Sequence, residues 1–384
     1  MNGHSYYSCR AKSLLVIAVF IFISSLTFAD SKIVFGGTAV DGNGKIIPGY
    51  WIDDSWFSLY MPSKYSAGYV TCITTNESDI YCGGYLVDLN KKSVCVFWKN
   101  NSIEYLSVLE SNGSYKTDRV NSIAVIYGDV YFSGYTQSQA AYWKNNELIL
   151  LENLAKDIRY SNSSAKNLVF VNDKVVVGGN NQDETGHSYQ GYWINGEWNY
   201  LDAPQDSIKN IFGAIIEQDS KLLIVGAYFD STKDKGIDPT WGMIHPILWI
   251  DGKNHELMQP ANGKRSWCTG IALLNDDIWV SGVVEDSLEL RMAKKPTFNS
   301  AGYWKNGQWS FLPKIVENKQ SETSGILIND GDVVISGYCM DIKDSKIPGY
   351  WKNEVWNKLE MNKNRKALAN MHAREVTSMA ILYE

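Results

Sequence analysis

Three observations predict an all-β chain folded as a seven-bladed β-propeller, with four antiparallel strands per blade. A Tyr-Trp-like pair recurs seven times ahead of a tight turn. Seven glycines, roughly 45 to 56 residues apart, close as many β-branched runs. The strand-like runs at the two ends of the chain complete one repeat only when they are joined.

The pairs are Tyr50-Trp51, Phe97-Trp98, Tyr142-Trp143, Tyr192-Trp193, Leu248-Trp249, Tyr303-Trp304 and Tyr350-Trp351. In four repeats a second Trp follows five residues later, at Trp56, Trp198, Trp309 and Trp356. The glycines are Gly37, Gly84, Gly134, Gly179, Gly226, Gly282 and Gly337. Each unit opens on an apolar run such as Asn167 to Val171, turns at Asn/Asp/Gly and enters the β-branched run. A loop of variable length leads to the Tyr-Trp strand. An Asn-Gly-type turn, a strong hairpin signal because both turn residues take positive φ, leads to the fourth strand. After its leader the chain begins on a second-type strand (Lys32 to Gly37) and ends on a lone first-type strand (Val376 to Leu382). The first blade is therefore expected to combine one C-terminal and three N-terminal strands, leaving the ring no gap.

The glycines ending strand two, the aromatic on strand three and the Trp on strand four resemble the kelch repeat, most nearly in Gly178-Gly179, Tyr192 and Trp198. The chain departs from it in its adjacent Tyr-Trp pairs and in lacking a regular arginine on strand one. Over its whole mature length it is similar to bacterial exported proteins with Tyr-Trp-Lys-Asn-Gly repeats. Both resemblances imply the fold and are silent on chemistry.

Residues 1–29 read as a secretory signal: Arg10 and Lys12, an apolar run from Leu14 to Ile23, and small residues before cleavage after Ala29. Residues 30–384 are then one domain, in the periplasm or outside the cell, with no membrane span in the mature chain. Without the two basic residues of the leader, 34 Lys+Arg face 42 Asp+Glu, a net charge of −8. Such a surface speaks against nucleic acid, which needs a basic footprint.

The tight turns fall on one face of the ring, and the variable second-to-third loops fall on the other. These loops are short in blade 3 (Tyr135 to Gln139) and long in blade 5 (Phe229 to Pro246) and blade 6 (Glu285 to Ser300). All the length variation is expected there, so the long-loop face of blades 4 to 6 is the candidate binding face. Candidate ligand contacts are His187 and Tyr189 in blade 4, Phe229, Trp241 and His245 in blade 5, and Arg291 in blade 6. The repeated Trp and Gly residues read as inter-blade packing, where aromatics bury large area.

Asp41-Gly42-Asn43-Gly44 and the series Asp230, Asp234, Asp238 resemble calcium ligands but lack a full donor set, and Asp53-Asp54 sits at a hairpin turn. No linear catalytic, metal or cofactor motif occurs, so catalytic residues stay unassigned and no metal or cofactor is expected. Cys72 and Cys82, equidistant from the turn near Glu77, are the one candidate cross-strand disulfide, the alternative being buried, small apolar thiols; Cys95, Cys268 and Cys339 complete an odd set of five. The expectation is an exported, monomeric, non-enzymatic propeller binding a protein or glycan partner. The alternatives are a glycan-directed hydrolase or lyase, with its site at the channel mouth, and a purely structural envelope protein.

Overall fold

A computed structural model describes residues 31–110, 118–157, 162–204, 207–230, 243–260, 265–286, 298–361 and 371–383. The described residues form 28 β-strands and no helix, so none is long and apolar enough to cross a membrane. The leader, Trp241 and Arg291 lie outside them.

The first sheet contains β1 (Ser31–Val40), β2 (Ile46–Ile52), β3 (Ser55–Ser58), β4 (Tyr65–Asn76), β5 (Asp79–Asp88), β6 (Ser93–Lys99), β7 (Ser102–Tyr105) and the C-terminal β28 (His372–Tyr383). A single parallel bridge, Ile46 to Ala67, joins β28-β1-β2-β3 to β4-β5-β6-β7. Five four-stranded sheets follow. One comprises β8 (Arg119–Ile126), β9 (Asp129–Thr136), β10 (Gln139–Lys144) and β11 (Glu147–Leu150). The next comprises β12 (Ser164–Val171), β13 (Lys174–Gln182), β14 (Ser188–Ile194) and β15 (Glu197–Tyr200), and is the fourth blade of the sequence reading. Then come β16 (Ser207–Gln218), β17 (Lys221–Asp230), β18 (Met243–Ile250) and β19 (Lys253–Glu256). The last two are β20 (Ser266–Leu274), β21 (Asp277–Asp286), β22 (Phe298–Lys305), β23 (Gln308–Phe311), and β24 (Ser321–Asn329), β25 (Asp332–Met340), β26 (Lys346–Lys352), β27 (Val355–Lys358).

The first strands β28, β4, β8, β12, β16, β20 and β24 pack side by side in that order, and β24 packs back on β28. This closed ring of strands is a β-propeller. β28 pairs antiparallel with β1 along its length, from Ser31–Tyr383 to Val40–His372. The chain's two ends therefore share one sheet.

Each repeat residue has a physical reason. Trp51, Trp98, Trp143, Trp193, Trp249, Trp304 and Trp351 are at most 1% exposed. Each indole Nε1–H donates to a carbonyl in the connection that enters its own sheet, at 2.6–3.2 Å. Trp51 reaches Glu360 O, which ties the first strands to the far end of the chain. The glycines face close backbone. A Cβ on Gly84, Gly134 or Gly337 would lie 1.9–2.0 Å from the carbonyl oxygen of Tyr69, Arg119 or Glu322 on the first strand.

The Lys-Asn portion of the motif closes the hairpin beside the Trp. Lys144 Nζ sits 2.8 Å from Asp129, Asn145 Nδ2 donates to Asp129 at 2.6 Å, and Asn145 Oδ1 accepts from Val130 N. Lys99–Asp79, Lys305–Asp277 and Lys352–Asp332 repeat the arrangement. The Lys partner holds each of these four carboxyls below the usual Asp range.

Two expectations are corrected. Cys72 and Cys82 do not face each other. The turn is centred between Glu77 and Ser78, so Cys72 pairs with Gly83 and Cys82 with Ile73. The two side chains enter different apolar clusters, and all five described cysteines are buried and free. The length variation is also not confined to second-to-third loops. Fourth-to-first connections on the same face range from 201–206 to 106–118, 151–163 and 359–371.

Candidate functional site

Every first strand carries a β-bulge opposite its repeat glycine, leaving one extra residue in each. The bulged residues are Thr377, Thr71, Asn121, Lys166, Gly213, Thr269 and Ser324. A bulge frees a side chain from the alternation of its strand and re-aims it. Four of these side chains clasp the next sheet. Thr377 Oγ1 donates to Val70 O at 3.0 Å, Thr71 Oγ1 to Val120 O at 2.7 Å, and Asn121 Nδ2 to Ala165 O at 2.6 Å. Thr269 Oγ1 and Thr323 Oγ1 lie 2.6 Å apart.

Gly213 closes its seam differently. A Cβ there would lie 2.7 Å from Cys268 O, so backbone approaches backbone directly. Ser324 bonds within its own sheet, to Ser336. Lys166 is the one charged residue of the series and forms no hydrogen bond or ion pair among the described residues.

A cavity of about 460 Å³ opens at this seam, between the β12–β15 and β16–β19 sheets, on the variable-loop face. Its polar lining includes Lys166, Asn180, Gln182, His187, Ser188 and Gln190, and Ile211 and Phe212 form an apolar wall. Phe212 fits there because Gly178 has no side chain: a Cβ would lie 2.2 Å from its ring. Gln190 is 2% exposed, yet neither its Oε1 nor its Nε2 has a partner. A buried amide left this way costs roughly 1–3 kcal/mol per unpaired group. Burial, then the nearby Arg119 guanidinium, pushes the Lys166 ammonium below the usual Lys range.

The 183–187 loop is a built structure. Asp183 Oδ1 accepts from Thr185 N at 2.9 Å and His187 N at 3.0 Å, while Asp183 Oδ2 accepts from Tyr189 OH at 3.1 Å. These bonds, led by that of the Thr185 hydroxyl, hold the Asp183 carboxyl below its usual range. The His187 and Tyr189 rings lie 4.5 Å apart. Asp41 and Asp341 fold their loops alike, accepting from backbone N–H two and four residues on. The carboxylate of the calcium-like Asp41 segment is thus committed to its own loop. Asp53 and Asp54, with φ of 47° and 59°, are a hairpin turn. Asp234 and Asp238 lie outside the described residues, among which no group of three His, Cys, Asp or Glu could hold a metal ion.

The sequence candidates therefore separate. His187 lines the cavity, and Tyr189 supports it from the neighbouring strand position. Phe229 is a strand residue and not a loop residue: it pairs with Ile244 inside β17, is buried and packs with Ala227, away from the cavity lining. His245 lies in β18, stacked on Tyr228 at 4.9 Å, with Nε2 3.8 Å from the buried Asp230. Lys166 and Gln190 were missed. Lys166 stands out only when first strands are aligned on the bulge, and Gln190 lies within a strand.

No protein-family model and no curated protein matches the chain. Among solved structures, a puromycin hydrolase mutant superposes with a TM-score of 0.53 at 9% identity, covering 86% of this chain and 52% of that one. The present chain thus spans about half of that hydrolase. AofleA from Arthrobotrys oligospora gives 0.45 at 11% identity, covering 81% and 88%. A fungal lectin of Aleuria aurantia, described as a six-bladed β-propeller, gives 0.40 at 9%, covering 75% and 92%. The likeness concerns fold alone.

Proposed function

We propose that this chain is an exported, monomeric, seven-bladed β-propeller that binds a protein or glycan partner through its variable-loop face, over the β12 to β23 sheets, without chemistry of its own. The blade count is supported by the single parallel bridge at which the eight-stranded sheet divides into two sets of four strands. Residues 1–29 serve as the export signal in this reading. The observation that carries it is the crevice at the Lys166 seam, where clasped packing gives way to a polar cavity with an unpaired buried amide. Sites of this kind, concave with a few convergent polar groups, are where small ligands bind.

The test is capture of partners from the native envelope and on a glycan array, with 231–242 and 287–297 shortened in a parallel chain. Shortening is expected to lower recovery at least several-fold; unchanged recovery would sink the assignment of the face.

One observation favours a second reading, a glycan-directed hydrolase or lyase: the Asp230–His245 pair, a carboxylate beside a histidine on the same face. General acid–base chemistry needs such a pair within reach of substrate. Turnover of glycans that is abolished by Asp230→Asn would establish it.

A further inference from the structure

We propose that the crevice between the β12–β15 and β16–β19 sheets takes one acidic sugar residue, a hexuronate, with its carboxylate on Lys166 and two of its hydroxyls on the Gln190 amide. The inference rests on the variable-loop face being the binding face, and it names the ligand chemistry there.

The groups present select that chemistry. Gln190 offers one acceptor oxygen and two donor N–H groups, all without partners. A vicinal hydroxyl pair satisfies both ends of a carboxamide, since each hydroxyl donates and accepts. Asn180, Gln182 and Ser188 extend the same neutral, bifunctional lining. Lys166 adds one cation where the equivalent strands carry Thr, Asn, Ser or Gly, and that cation has no counter-charge among the described residues. Its depressed ammonium pKa marks a site where a carboxylate would restore what burial and Arg119 take away. Phe212 and Ile211 supply an apolar wall for the C–H face of a pyranose.

Other ligands fit less well. A phosphate is favoured by bidentate Arg forks or helix N-termini, and the lining of this all-β crevice has neither. An extended peptide binds by adding to a free strand edge. β13 and β14, which carry Asn180, Gln182, Ser188 and Gln190, are already paired on both sides. The cavity volume of 460 Å³ lies within the range of roughly 300–1,000 Å³ usual for small-ligand clefts.

Titration of the full mature chain with galacturonate, glucuronate, galactose, acetate and inorganic phosphate, followed by NMR and calorimetry, tests the proposal. A uronate is expected to bind at least about tenfold more tightly than galactose, acetate or phosphate, the scale of one charge-assisted hydrogen bond. Lys166→Met should erase the preference for uronate over galactose. Gln190→Leu should weaken both sugars about tenfold, and Ser188→Ala gives a milder variant if Gln190→Leu does not fold. Equal affinity for uronate and galactose, acetate or phosphate as tight as uronate, displacement of uronate by an acidic peptide, or no binding of any probe would each overturn the proposal.

The two readings fail separately. Partner capture that needs the loops, with no uronate binding, sinks the crevice alone. Uronate binding with capture indifferent to the loops sinks the face and leaves the crevice.

Discussion

Two seams of the ring are built on the same plan and end differently. Where β4 meets β8, the bulged Thr71 donates to Val120 O at 2.7 Å, and Cys72, Val120, Phe132 and Trp143 fill the space behind it. Where β12 meets β16, the bulge presents Lys166, no bond crosses from it, and a cavity of about 460 Å³ remains beside the unpaired Gln190 amide. The fold does not require this opening, because Thr or Asn closes the corresponding position at four other seams. A departure from a local rule that most seams keep, with no compensating contact among the described residues, is where function is expected to lie.

The largest effect should come from removing the strand on which every seam depends. Deleting His372 to Glu384 leaves β1 with a bare edge, removes the Thr377 clasp and opens the ring of first strands. Exposed strand edges template association. The expected outcome is loss of soluble protein and of a cooperative melting transition in calorimetry. A truncated chain that melts like the parent would mean that the seams hold the ring without closure.

The next pair of substitutions sets the seams directly against each other. Thr71→Val keeps the volume but leaves Val120 O without its partner, which should destabilise by about 1–3 kcal/mol. Lys166→Met removes a partly buried charge that makes no bond, so it should be neutral or stabilising by up to about 1 kcal/mol. Opposite signs in urea unfolding are the expected result. A Lys166→Met chain as weakened as Thr71→Val would show that the lysine is a clasp after all.

The repeat was legible in the sequence because each part acts within its own sheet or the connection that enters it. Trp143 and Gly134 each answer to a carbonyl or backbone contact and keep their spacing in all seven units, whereas Lys144 with Asn145, which answer to Asp129, recur in four. Closure was legible for a similar reason, since a strand of one type stood unpaired at each end. The seam was not. A bulge changes register without leaving a signature of its own, and Lys166 reads as an ordinary polar residue until its strand is set beside the other first strands. Gln190 was hidden by strand alternation, which predicts that it is buried but not that it lacks partners. His187 was found because loops carry binding residues, and the same rule misplaced Phe229, whose strand runs to Asp230.

The smallest effect, and the one that most sharpens the contrast, is in the alkaline limb of stability. In the folded chain the Lys166 ammonium titrates below its usual value because burial and Arg119 penalise the charged form, whereas in the unfolded chain it titrates near 10.4. Below the folded value both states are charged, and the full penalty acts on the fold. As pH rises from the folded value towards the unfolded one, the folded chain gives up its proton first and the penalty is relieved, so stability rises relative to Lys166→Met. The advantage of Lys166→Met should therefore be greatest near neutral pH and shrink across that window. Thr71→Val should show no such slope. Saturating uronate gives Lys166 a counter-charge that raises its folded value and should flatten the slope; a slope indifferent to uronate would detach the lysine from the ligand while leaving the seam's electrostatics as they are.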